Sequence, residues 1–188
     1  MTEMRRKDRE MNTKFAQNVI DGANFATLSM IDNVGLPYGI PISFVRDGDI
    51  IYFHSALEGK KVDILKKNPL VSMSFVGKVE VPQLFTQDEI KSLIAENKFS
   101  LLARKVYTTE FESTIVSGKT SLLVNKEEKI KALRLICQKY TPNYMDYFSY
   151  AIESSLNHTL VYRLDIEKIS GKRKRFDEHG EEMKWGRM

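Results

Sequence analysis

The sequence predicts a mainly β fold with flanking helices, an α+β arrangement built as a small barrel of about six antiparallel strands with its helices outside. Three observations point there. Runs rich in Val, Ile, Phe, Tyr and Thr recur at residues 26–31, 37–45, 50–54, 70–81, 111–124 and 158–169, the residue types that suit a pleated surface. The first three are joined by short Asp/Asn/Gly turns, the connections of antiparallel neighbours. The longer connections carry Ser/Thr/Asn-x-x-Glu signatures, which start helices. No internal repeat or linker divides the 188 residues, so residues 1–188 read as a single domain able to bury its own core.

In chain order, residues 1–12 form a polar arm, and 13–21 a short helix with Phe15, Val19 and Ile20 as its apolar stripe. Strand 26–31, the turn Asp32-Asn33-Val34-Gly35, strand 37–45, the turn Arg46-Asp47-Gly48 and the strand opening at Ile50 read as a three-stranded meander. Gly39 and Pro41 are poor strand formers. A ligand lying along the strand explains them, and so does a sheet edge or a bulge. Ser55 and Glu58 have the spacing of a capping box, opening a helix that Asn68-Pro69 stops. Strand 70–81 places Val71, Met73, Phe75, Val79 and Val81 on one face, with a bulge at Gly77. Residues 83–107 are a helical insertion, its first helix capped by Thr86 and Glu89. After strand 111–124, which contains Gly118, Asn125 and Glu128 start a helix in which Ile130, Leu133 and Cys137 face the core. Residues 143–156 read as a further helix whose Tyr144, Tyr147, Phe148 and Tyr150 are core or dimer contacts. Residues 171–188 are a polar tail whose Trp185 must pack on the domain, a partner subunit or a bound ring.

Composition narrows the function. The net charge is +4, but the basic residues are scattered among acids, so no nucleic-acid interface is expected. No apolar run is long enough to span a bilayer, the N-terminus lacks the apolar segment of a secretory signal, and one cysteine excludes an internal disulfide; the expected compartment is the cytoplasm, without membrane attachment. The three histidines His54, His158 and His179 lie far apart, so no metal site is expected. No Gly-x-Ser-x-Gly elbow, Walker loop or Rossmann glycine pattern is present. If the protein is an enzyme, a cofactor supplies the reactive atoms.

One stretch stands apart. In DIIYFHSALEGKKVDILKKNP a strand feeds a helix whose first turn carries Gly59, Lys60 and Lys61. Cations oppose the positive end of a helix dipole. Either an anion such as a phosphate resolves that conflict, or the lysines are a solvated face.

The runs RRKDRE, PYGIPISF, YFHSA-x-x-GKK, TTEFEST and GKRKRFDEHGEEMKWGRM, in that order over nearly the whole chain, resemble the pyridoxamine 5′-phosphate oxidase-like split-barrel superfamily. They look most like its 5-nitroimidazole-resistance (Nim) type flavoproteins. The resemblance implies an FMN-binding split barrel, a homodimer with FMN at the subunit interface, and oxidoreductase chemistry. In that chemistry NADH or NADPH donates electrons and a small organic molecule, nitroaromatics included, accepts them. An FMN-binding or sensing protein without efficient turnover is the alternative. Lys60 and Lys61 fall where the family binds the phosphate, and His54 and Ser55 at the strand end that meets the flavin. Gly39, Ile40, Pro41, Ile42, Ser43 and Phe44 fall on the strand along which the ring and ribityl chain lie. Ser113 matches a polar position in the long strand, Trp185 is a candidate cap over the cofactor, and His54 is the tentative catalytic group, its competing reading being a hydrogen-bonded strand end. The Arg-x-His-Asp-Arg motif of pyridoxamine phosphate oxidases is replaced here by YRLDIEKISGKRK, so oxidation of vitamin B6 itself is not expected.

Overall fold

The structure is a computed structural model that describes residues 4–187. In chain order the elements are β1 (Glu10–Met11), α1 (Thr13–Gly22), β2 (Ala26–Ile31), β3 (Pro37–Ile42), β4 (Val45–Asp47), β5 (Ile50–Ser55), α2 (Lys60–Lys67), β6 (Leu70–Glu80), α3 (Gln87–Ala95), α4 (Phe99–Leu101), β7 (Glu110–Leu122), α5 (Lys126–Tyr140), α6 (Phe148–Ser155) and β8 (Leu160–Lys174). Among the described residues there are thus eight strands rather than about six. They follow the order β3-β2-β6-β7-β8-β5-β4, with β1 added beside β8. The ladders β2–β3, β2–β6, β4–β5, β5–β8 and β1–β8 are antiparallel. This is the mainly antiparallel α+β fold expected, with an open strand path.

The chain divides into two compact units. The larger comprises residues 20–75 and 115–169. In it the predicted three-stranded meander is broken: β3 pairs with β2, whereas β4 and β5 end the opposite side of the path. Ser43 and Phe44 cause the break. Phe44 is fully buried, edge-on to Phe75 at 4.8 Å, and its N–H donates to the Tyr140 hydroxyl at 3.0 Å instead of to a strand. That hydroxyl in turn donates to the Asn24 carbonyl at 2.6 Å. A side chain thereby satisfies the main chain where the ladder stops.

The 70–81 expectation holds only in its first half. Val71, Met73 and Phe75 are buried and alternate, but Val76, Val79 and Val81 are exposed. The Asn125 cap is present, accepting the Glu128 N–H at 2.9 Å. Helix α5 lays Ala132, Leu133 and Ile136 into a core cluster with Tyr52, Leu123, Phe148 and Val161. Cys137 only borders that cluster and is half-buried rather than buried. The single helix expected over 143–156 is instead a 3-10 turn (Pro142–Tyr147) followed by α6. Pro142 at the start of the segment suits that tighter turn. Phe148 is core, but Tyr144, Tyr147 and Tyr150 are exposed, so the core reading fails for all three tyrosines.

The smaller unit comprises residues 4–19, 76–114 and 170–187 of the described chain. The polar arm is not free of structure, since Glu10 and Met11 pair with Lys172 and Gly171. The tail likewise begins inside β8, which runs five residues beyond its expected end at Ile169. Thr86 and Glu89 close the predicted capping box on α3, and the insertion continues through α4 into a π-helical turn (Leu102–Val106). The tail is stitched down by Arg9 to Glu182 at 2.5 Å and Lys105 to Glu181 at 2.7 Å.

Candidate functional site

The stretch singled out in the sequence is built differently from its expectation. Ser55 does not cap a helix. It is the buried last residue of β5, paired with Leu160, and Glu58 lies in the exposed connection. Strand pairing has claimed Ser55, so α2 begins later, with Gly59 as its N-cap. At φ +127° and ψ 164°, Gly59 holds a conformation essentially reserved for glycine. It brings no side-chain oxygen, and no side chain caps the helix. The first backbone N–H groups of α2 therefore have no side-chain acceptor, the condition in which a helix start can take an anion. Val62, Ile64 and Leu65 are buried on the opposite face and hold the helix in place.

The two lysines of this turn diverge. Lys61 is half-buried and reaches back to the end of β5, donating to the His54 carbonyl at 3.3 Å. Burial pushes its ammonium below the ordinary lysine value, which favours acquiring an anionic partner. Lys60 reaches the other way, 4.6 Å above the Tyr38 ring and 3.9 Å from the Asp32 carboxylate. Asp32 is itself pinned, accepting the Val34 and Leu36 N–H groups at 3.0 and 2.9 Å.

These contacts join the start of α2 to the end of β5 and the β2–β3 turn. Tyr38 and Asp32 were not singled out in the sequence. Asp32 read as an ordinary turn residue, and Tyr38 gained meaning only when the hairpin placed its ring under Lys60. Along β3, the edge position explains Pro41, whose missing N–H has no strand to meet. Gly39 is exposed, and a Cβ added there would touch only the Thr27 Cγ2 at 3.6 Å, so no protein neighbour requires glycine. Ile40 and Ser43 are half-buried and Ile42 is buried. Phe44 has its side chain and N–H engaged within the protein.

His54 keeps solvent-accessible surface, yet the protein around it and the Lys61 charge hold its pKa below the ordinary value of 6.5. The unfolded chain therefore binds this proton first as pH falls. His54 contributes its full stability above about pH 6.5 and loses it progressively down to the lower folded value. Urea unfolding between pH 5 and 7 should show a flatter pH slope in His54→Gln than in the wild type. An identical slope would remove His54 from the account.

Ser113 and Trp185 belong to the other unit. Ser113 is half-buried in β7. Trp185 is exposed and does not pack on the domain; its backbone sits at φ +58° and its N–H donates to the Asp8 carbonyl at 2.7 Å. Among the described residues no three His, Cys, Asp or Glu gather in a metal-binding group, and no helix is long and apolar enough to cross a membrane.

An open antiparallel sheet with flanking helices is a fold shared with known proteins. Residues 15–173 match the family model described as pyridoxamine 5′-phosphate oxidase, and the chain belongs to that family. Among solved structures, a candidate 5-nitroimidazole antibiotic resistance protein from Bacteroides thetaiotaomicron is 24% identical, with a TM-score of 0.66 over 86% of this chain and 84% of that one. The flavocytochrome Anf3 from Azotobacter vinelandii is 18% identical, with a TM-score of 0.62 over 90% of this chain and 72% of that one. An FAD-binding protein from Mycobacterium smegmatis is 15% identical, with a TM-score of 0.58 over 89% and 99%. At these identities the likeness is one of fold. No curated protein matches the chain.

Proposed function

We propose that this protein is a cytoplasmic, homodimeric FMN-dependent oxidoreductase that takes electrons from NADH or NADPH and delivers them to a small organic acceptor, with nitroaromatics the class to test. The observation that carries this reading is the uncapped start of α2, where Lys60 and Lys61 flank backbone donors at the end of β5. That arrangement suits the single terminal phosphate of FMN. Membership of the pyridoxamine 5′-phosphate oxidase family and likeness to structures named for flavin binding support a flavin as the ligand.

When bound, the flavin would supply the redox-active ring. The chain's own residues hold and orient it. Lys60 and Lys61 would neutralise the phosphate, each charge-assisted contact contributing about 1.5–3 kcal/mol. The open β3 edge, at Gly39 and Ile40, with Ser43 just beyond its end, would receive the ring and its polyol chain. His54, with its pKa below 6.5, is neutral at pH 7 and offers one donor and one acceptor nitrogen. It therefore orients the ligand at neutral pH rather than serving as a cationic acid.

Steady-state oxidation of NADH and NADPH by the FMN-loaded protein, with nitroaromatic and quinone acceptors, tests the proposal. Acceptor-dependent turnover is expected. Tight flavin retention with no turnover on any acceptor would instead identify a flavin-binding or sensing protein.

A further inference from the structure

The larger unit holds a second cavity that shares no residue with the Lys60–Lys61 site. It has a volume of about 600 Å³ and lies where α5 and α6 face the end of β7, within the range of roughly 300–1,000 Å³ typical of small-molecule sites. Half of its lining is apolar. Leu123 closes the floor, Ile130 lines the α5 wall, and Phe148, Ile152 and Leu156, spaced four apart, line the other. Helical spacing of four puts Lys126 and Arg134 beside Ile130, and Lys129, three residues after Lys126, lines the same cavity.

These three cations face one carboxylate, Glu153, across the cavity. Among the described residues none of them forms an ion pair. They are nonetheless positioned: Lys129 Nζ donates to the Leu156 carbonyl at 2.5 Å, and the Arg134 guanidinium sits 4.4 Å over the Phe148 ring. A half-apolar chamber with uncompensated, oriented cations at its rim matches a ligand with an apolar body and one anionic end. A guanidinium fork selects a carboxylate by bidentate hydrogen bonding.

We propose that this cavity binds a small organic carboxylate with an apolar body. Isothermal titration calorimetry with decanoate, using decanol as the neutral control, tests it on the full chain. One decanoate per chain is expected, with decanol at least about tenfold weaker, since loss of a charge-assisted contact weakens binding by roughly that factor or more. Lys126→Gln with Arg134→Gln should weaken decanoate by about tenfold or more and leave decanol unchanged. Ile152→Trp, which fills the chamber from a half-buried position, should abolish both. FMN retention should be unaffected in every variant. Equal binding of decanoate and decanol, or undiminished decanoate binding in Ile152→Trp, overturns the proposal, and so does no decanoate binding by the wild type.

Discussion

Replacing Lys60 and Lys61 together by alanine should abolish FMN retention and leave the fold intact. The expected loss is large because, in the proposed site, the phosphate takes one charge-assisted contact from each of two ammonium groups that stand on either side of the first turn of α2, and both are removed. Two contacts at about 1.5–3 kcal/mol each correspond to a fall in affinity of roughly 10²- to 10⁴-fold. The fold should tolerate the change. Lys60 is exposed, its Asp32 partner is 3.9 Å away, and Lys61 contributes one 3.3 Å bond to a carbonyl. Pairs of this kind at a surface contribute about 0–1 kcal/mol, and alanine is a strong helix former. Fluorescence titration with FMN, alongside far-ultraviolet circular dichroism, separates the outcomes. Unchanged flavin affinity in the folded double variant removes these lysines from the site.

Gly118→Ala should be the most damaging single methyl in the larger unit. A Cβ on Gly118 would stand 1.9 Å from the Asp165 carbonyl oxygen and 3.0 Å from its carbon. Both are main-chain atoms of β8, so no side-chain rotation relieves the overlap. Strand β8 is itself fixed on its other side, where Asp165 pairs with Ile50 of β5. The methyl must therefore separate packed backbones, and a destabilisation above about 3 kcal/mol is expected. Gly39→Ala is the control, since its new methyl makes only an ordinary contact with Thr27; its stability should change by less than about 1 kcal/mol. Urea denaturation of both variants measures the difference. A Gly118→Ala protein as stable as the wild type would contradict the close approach of these strands.

The alternating strands and the Thr86 and Asn125 caps were legible because each is written in adjacent residues. Periodicity locates Ala26–Ile31, and an Asn-x-x-Glu spacing locates the start of α5. What was not legible depended on partners distant in sequence. Ser55 and Glu58 satisfy a local capping rule, but pairing with Leu160 keeps Ser55 in the sheet. The second strand looked continuous through Val45 until Tyr140, almost a hundred residues on, took the Phe44 N–H.

The candidate site shows the same division. Lys60, Lys61 and Gly59 announced themselves through a conflict with the helix dipole. Tyr38 and Asp32 required the folded hairpin to place them under Lys60. The role of Gly59 also needed the fold: no capping oxygen is supplied at the helix start, and Gly59 provides the backbone conformation there.

The central claim, that the start of α2 and the edge of β3 hold FMN, is tested most directly by the visible absorption spectrum of the purified protein before and after addition of FMN in slight excess and desalting. The account predicts oxidised-flavin peaks that stay with the protein through the desalting column. A colourless protein that also releases all added FMN would contradict it.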